Sequence, residues 1–104
     1  MKRFRISVIA RVELDEIWLY LMEESLSAKR ADNVISDILN AIEAITEFPG
    51  MGRLREDILP SCLVFPIKNY LIFYSVTSNG IDVEHILHGA QDIPSLKLPT
   101  PEYD

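Results

Sequence analysis

The chain has 104 residues, 48% hydrophobic and 25% charged, with a formal net charge of −6 and a pI near 4.8. That length makes one domain with a single core, and the negative field excludes indiscriminate nucleic-acid binding, because phosphates would be repelled. Cys62 is alone, which excludes an intrachain disulfide and suits a reducing cytosol; no window approaches the ~20 apolar residues that span a bilayer, and the gap between Arg5 and Arg11 is too short for a signal-peptide core.

Phe4 and Ile6 alternate with Arg3 and Arg5, which predicts a short first strand with one wet face. Ser7 is placed to cap a helix, although Ala10 stands where a capping box would have an acid. Ala10, Leu14, Ile17, Trp18 and Leu21 then recur at helical spacing, with Glu13, Asp15, Glu16 and Glu23 on the other side. Leu19 and Met22 fall outside the main apolar stripe and Trp18 on its border. The helix is thus apolar over more of its girth than one neighbour needs.

After the break at Ser25-Leu26-Ser27, with Ser27 as the next cap, a second helix is predicted to about Phe48. Its apolar face is Ala31, Val34, Ile35, Ile38, Ile42 and Ile45, and Pro49-Gly50 ends it. Two helices with so short a join fold back as an antiparallel hairpin.

Residues 51–60 read as a loop. Leu63, Phe65 and Ile67 alternate as a strand whose Pro66 belongs at an edge or a bulge. Lys68-Asn69 turns into Tyr70–Val76, which is apolar on both faces and so belongs in the middle of the sheet. The few remaining elements leave its two faces short of cover, which points to a partner completing the core. Ser78-Asn79-Gly80 makes the next hairpin. Ile81, Val83, His85 and Leu87 alternate against Asp82, Glu84 and His88 in a last strand. Pro94, Pro99 and Pro101 predict an irregular tail over 94–104, after a domain spanning 1–93. The expected fold class is α+β, in the order β-α-α-β-β-β, a helix hairpin on a small, mostly antiparallel sheet.

Gly50-Met51-Gly52 resembles a phosphate loop only superficially: it follows a helix, and Arg55 stands where a third glycine is needed. His85 and His88 are three apart in a strand and point to opposite faces, so they share no metal. No metal site or cofactor is expected. Arg53 and Arg55 flank Leu54 and precede Glu56 and Asp57. They make either a solvated loop with local ion pairs or two guanidinium forks presented to a partner's carboxylate or phosphate. Lys2, Arg3, Arg5 and Arg11 make the N-terminal end the most basic stretch; charges on an edge strand discourage edge pairing. Trp18, Leu19, Met22 and Leu39 form an apolar flank that a two-helix layer rarely hides, a candidate partner site.

Ala10 to Tyr20, Phe48-Pro49-Gly50-Met51-Gly52-Arg53, Phe65 to Tyr74 and Ile86-Leu87-His88-Gly89-Ala90-Gln91-Asp92-Ile93, in this order and spacing, resemble the ParE branch of the RelE/ParE toxin superfamily. The resemblance covers roughly residues 4 to 93, and the fold of that family is β-α-α-β-β-β. It implies the toxin half of a type II toxin–antitoxin pair, acting in the cytoplasm. ParE-type members poison DNA gyrase by binding; RelE-type members cut mRNA on the ribosome. Two basic positions of the RelE type correspond to Leu71 and Gln91, neither of them charged, so charge developing on a scissile phosphate would be poorly stabilised. Toxins of this group are commonly basic, and the pI here departs from that pattern.

The resemblance therefore implies a docking toxin, not an enzyme. A cognate antitoxin would lie along the helix hairpin and the sheet against Trp18, Leu19, Met22, Leu39, Tyr70 and Tyr74. Arg53, Arg55, His88 and Gln91 would contact the target, DNA gyrase, with no direct nucleic-acid binding by the toxin alone and no membrane partner. The assembly is a homodimer or a hetero-oligomer with the antitoxin. The alternatives are a RelE-like ribonuclease using Arg53, Arg55, Lys68 and His88, and a degenerate, non-toxic member.

Overall fold

The computed structural model describes residues 2–89, 98 and 100–104. Five strands and two helices follow in the order β1 (Arg3–Ile6), α1 (Val8–Ser25), α2 (Ala28–Glu47), β2 (Arg53–Leu54), β3 (Leu63–Ile67), β4 (Tyr70–Thr77) and β5 (Gly80–His88). The sheet order is β1-β5-β4-β3-β2, antiparallel except for the parallel β1–β5 pair. The predicted β-α-α-β-β-β layout holds, with one addition: Arg53 and Leu54, expected in a loop, form a two-residue edge strand opposite Val64 and Leu63. Pro66 sits past the end of β2, where the edge of β3 is open and its missing N–H breaks no ladder.

Both helix caps are the predicted serines. Ser7 Oγ accepts from Ala10 N at 3.0 Å, and Ser27 Oγ from Arg30 N at 3.2 Å. α1 ends at Leu26 in the left-handed conformation, its N–H donating to Met22 O, so the reversal into α2 needs only two residues.

β4 is the middle strand, and its alternation sorts the core into two layers. Tyr70, Ile72 and Tyr74 face the helices with Ile38, Ile42 and Ile45 of α2, Ala10 of α1 and Ile81, Val83 and Ile86 of β5. Phe73 faces the other way and is fully buried with Cys62, against Ile58, Leu59, Leu71, Leu87 and Leu98. That second layer corrects the expectation that β4 waits for a partner's cover. The loop before β3 and the tail supply it from within the chain.

The described tail residues, 98 and 100–104, lie outside any helix or strand, and the last of them are docked. Val8 N donates to Glu102 O at 2.7 Å, so the tail backbone satisfies an amide that α1 leaves free at its start. Tyr103 Oη donates to Val83 O at 3.2 Å and its ring lies 4.4 Å under the Arg5 guanidinium, while Arg11 pairs with Asp104 at 2.5 Å.

Candidate functional site

The turn that carries Arg53 and Arg55 is anchored from the core. Tyr74 is fully buried, and its hydroxyl donates to Pro49 O and accepts from Gly52 N, both at 2.8 Å. A Cβ on Gly52 would collide with the Tyr74 ring and hydroxyl, so only glycine lets the chain pass this close. From there the single-turn 3-10 helix Pro49–Met51 hands over to β2, and Arg55 N closes the loop onto Cys62 O at 2.7 Å. Tyr74 was expected to meet a partner; it is the internal pin of the loop instead.

Arg53 is exposed on the edge strand. Arg55 is partly engaged, its fork closing on Asp57 with Nε–Oδ1 at 2.9 Å and NH2–Oδ2 at 2.8 Å. Hydrogen bonding to Arg55 holds the Asp57 carboxyl below its ordinary range, and Asp57 raises Arg55 in return. The local ion pair read from the sequence is thus present at Arg55, while Arg53 is exposed.

His88 does not join them. It stands opposite Tyr70 at the far end of β5, with the two rings edge to face at 5.4 Å. Arg53, paired with Val64 on the adjacent strand, lies three strands from β5, which puts it roughly 17 Å from His88 by strand spacing and rise. Lys68 is paired with Asp37 at 3.2 Å near the β3–β4 turn. Gln91 lies outside the described residues. Arg53, Arg55, Lys68 and His88 therefore do not converge on one point.

The helix side of the site is divided as well. Trp18 Nε1 donates to Asp32 Oδ1 at 2.8 Å, tying α1 to α2, and both Trp18 and Met22 are half-buried. Leu19 is 54% exposed and Leu39 36%. Tyr70 is buried, but it borders a cavity of about 470 Å³ with Glu13, Glu16, Ile17, Tyr20, Ile86, Leu87 and His88. Sequence reasoning missed Val8 and Val12, exposed on the outer side of α1. Their angular position beside Leu19, opposite Ala10 and Ile17, was the available signal.

It also missed the seam between α1 and β5. β1 stops at Ile6, opposite Val83, and the start of α1 continues the edge in its place. Ser7 N donates to Val83 O at 2.9 Å, Ser7 Oγ to Glu84 O at 2.7 Å, and Glu13 Oε1 accepts from Ile86 N at 2.9 Å. Glu13 Oε2 lies 3.1 Å from Nδ1 of the buried His85. Glu84, at the irregularity where Phe73 pairs with His85 and Tyr74 with Val83, keeps Oε1 buried without a hydrogen-bond partner among the described residues. Burial raises its pKa, with the charge of His85 opposing. Cys62 beside it is pushed up to about 12, chiefly by burial, which makes it an inert core thiol. Among the described residues no group of three metal-ligating side chains occurs, and no helix is long and apolar enough to cross a membrane.

Residues 4–93 match the family described as ParE toxin of type II toxin-antitoxin system, parDE. Toxin ParE1 of Caulobacter vibrioides is 32% identical over 90 residues, 85% of this chain and 90% of that relative. Toxin ParE1 of Mycobacterium tuberculosis is 28% identical over 92 residues, 88% of this chain and 93% of that one. Among solved structures, a chain of the chromosomal ParDE TA system from P. aeruginosa shares the fold at a TM-score of 0.71 and 16% identity, covering 85% of this chain and 96% of its own. The chain belongs to the ParE toxin family of type II toxin–antitoxin systems.

Proposed function

We propose that this chain is a toxin that inhibits DNA gyrase by docking and is neutralised by a cognate antitoxin lying along the helix hairpin. The observation that supports docking is the Arg53 turn: a guanidinium displayed on a two-residue edge strand, held in place by the buried Tyr74 hydroxyl. A preorganised cation of this kind suits recognition of a carboxylate or phosphate on a large target. Antitoxin binding draws support from Leu19 and Leu39 on the hairpin and from the relation to ParE toxins. Dispersal of Arg53, Arg55, Lys68 and His88 favours docking over the ribonuclease reading, since proton transfer and phosphate stabilisation need groups within hydrogen-bond reach of one reacting atom.

The test is a gyrase supercoiling assay with purified chain, run beside toeprinting of ribosome-bound mRNA. Inhibition of supercoiling, or trapping of cleaved DNA, with unchanged toeprints is the expected result. Arg53→Ala with Arg55→Ala should weaken the inhibition by about tenfold or more, the scale of losing charge-assisted contacts, while leaving the unfolding midpoint nearly unchanged. New ribosome-dependent mRNA ends would overturn the docking mechanism, and normal growth on induction would identify a non-toxic member.

A further inference from the structure

The side of α1 that faces away from the core is built as a strip. Val8, Val12 and Leu19 fall within a sector of about 40° on the helix and are 42%, 47% and 54% exposed. Leu26, 85% exposed at the left-handed cap, stands just beyond them. From Val8 to Leu26 the strip runs about 27 Å, five turns of helix. Carboxylates border it on both sides, Asp15 on one and Glu16 and Glu23 on the other. All three are exposed and none is in an ion pair among the described residues. The described end of the tail sits at the start of the helix, on Val8 N, Arg11 and Arg5, and Val12, Leu19 and Leu26 stay exposed beyond it.

A second copy would set one acidic border against another, since a two-fold contact presents the same patch twice, and like charges facing each other are unfavourable. The complement is an amphipathic helix of a different chain, apolar along its centre and bordered by Lys or Arg. The cavity beside the strip fits one such border residue. Ile17, Ile86 and the Tyr20 and Tyr70 rings offer apolar and aromatic walls for a cationic stem, and Glu16 stands as the unengaged carboxylate, both oxygens of Glu13 being held by Ile86 and His85.

We infer that the outer face of α1 docks a basic-bordered amphipathic helix of the partner chain, with one of its cations seated in the cavity between α1 and the ends of β4 and β5. This deepens the antitoxin reading and rests on it. It also gives that partner a sign: its docking segment carries positive charge opposite the acidic borders of α1.

Two synthetic helical peptides of about 18 residues, with the same apolar stripe and either Lys or Glu borders, are titrated against the purified chain by fluorescence anisotropy at low and physiological salt. The Lys-bordered peptide should bind at least about tenfold tighter, with the gap narrowing as salt rises. Asp15→Lys, Glu16→Lys and Glu23→Lys together should reverse the preference. If that variant does not fold by circular dichroism, Asp15→Asn, Glu16→Gln and Glu23→Gln should abolish it. Absent binding, equal binding, or a preference that survives these changes overturns the inference. Growth arrest on induction is scored separately: arrest without the peptide preference removes this docking face alone, and the preference without arrest removes the toxin reading alone.

Discussion

Tyr74 shows how one side chain changes role once its surroundings are known. Alternation along β4 gave its face, shared with Tyr70 and Ile72, but no local pattern could show that the face is sealed. The two hydrogen bonds to Pro49 and Gly52 span 25 and 22 residues of chain and leave no local trace. Tyr74→Phe keeps the packing and strands the Gly52 amide. Denaturant unfolding should show a loss of about 1–2 kcal/mol, and amide exchange should be faster at Arg53 and Leu54. Glu84 makes the opposite case, a group the fold tolerates at a cost. Its folded pKa is raised by burial, so its unfavourable contribution is absent below the carboxylate pKa of the unfolded chain. That contribution develops as pH rises through the folded pKa. Glu84→Gln should therefore raise the Tm at pH 7 and lose that advantage on acidification below the ordinary carboxylate range. An equal gain at both pH values would mean that charge is not the cause.

Among the elements, those with a period were legible and those without one were not. α2, β3, β4 and β5 each carry enough residues for spacing of 3.6 or 2 to declare itself, α1 shows its core stripe less cleanly because Val8, Val12 and Leu19 are apolar on its exposed side, and the turns are marked by Ser, Asn, Gly and Pro. β2 has two residues and no period; only its pairing with β3 defines it. The parallel placement of β1 was equally hidden, because its partner lies 77 residues on. Gly80 carries that pairing: its φ is +155°, and a Cβ there would run into the Arg3 carbonyl of the neighbouring strand. Gly80→Ala should cost at least about 2 kcal/mol, read as a lowered Tm with exchange protection lost first in residues 3–6. The candidate site was legible in part for the same reason. The pairing of Arg55 with Asp57 is local and could be read, whereas the distance from Arg53 to His88 depends on a sheet order set by long-range pairing.

Across the whole molecule, the two ends of the chain meet at one corner, where β1, the start of α1 and the tail hold one another through Val8–Glu102, Arg5–Tyr103 and Arg11–Asp104. Removing residues 98–104 takes away the Leu98 contact with the Phe73 layer and the Glu102 carbonyl that accepts the hydrogen bond from Val8 N. It should destabilise the fold by about 2 kcal/mol, measured as a shift of the denaturant midpoint. Compensation by added salt would be small, because little of that loss is the exposed Arg11–Asp104 pair.

The β1–β5 pairing also sets an order of events during synthesis. A growing polypeptide that has emerged only as far as Thr77 already has both helices and the β3–β4 hairpin, yet its first strand has no neighbour to bind and the seam that Ser7 and Glu13 close does not exist. Contacts across such a separation form late. An interrupted message therefore yields an unfinished sheet with an open edge and a poor core, and a cell translating this gene meets the complete weapon only when the last strand has been made.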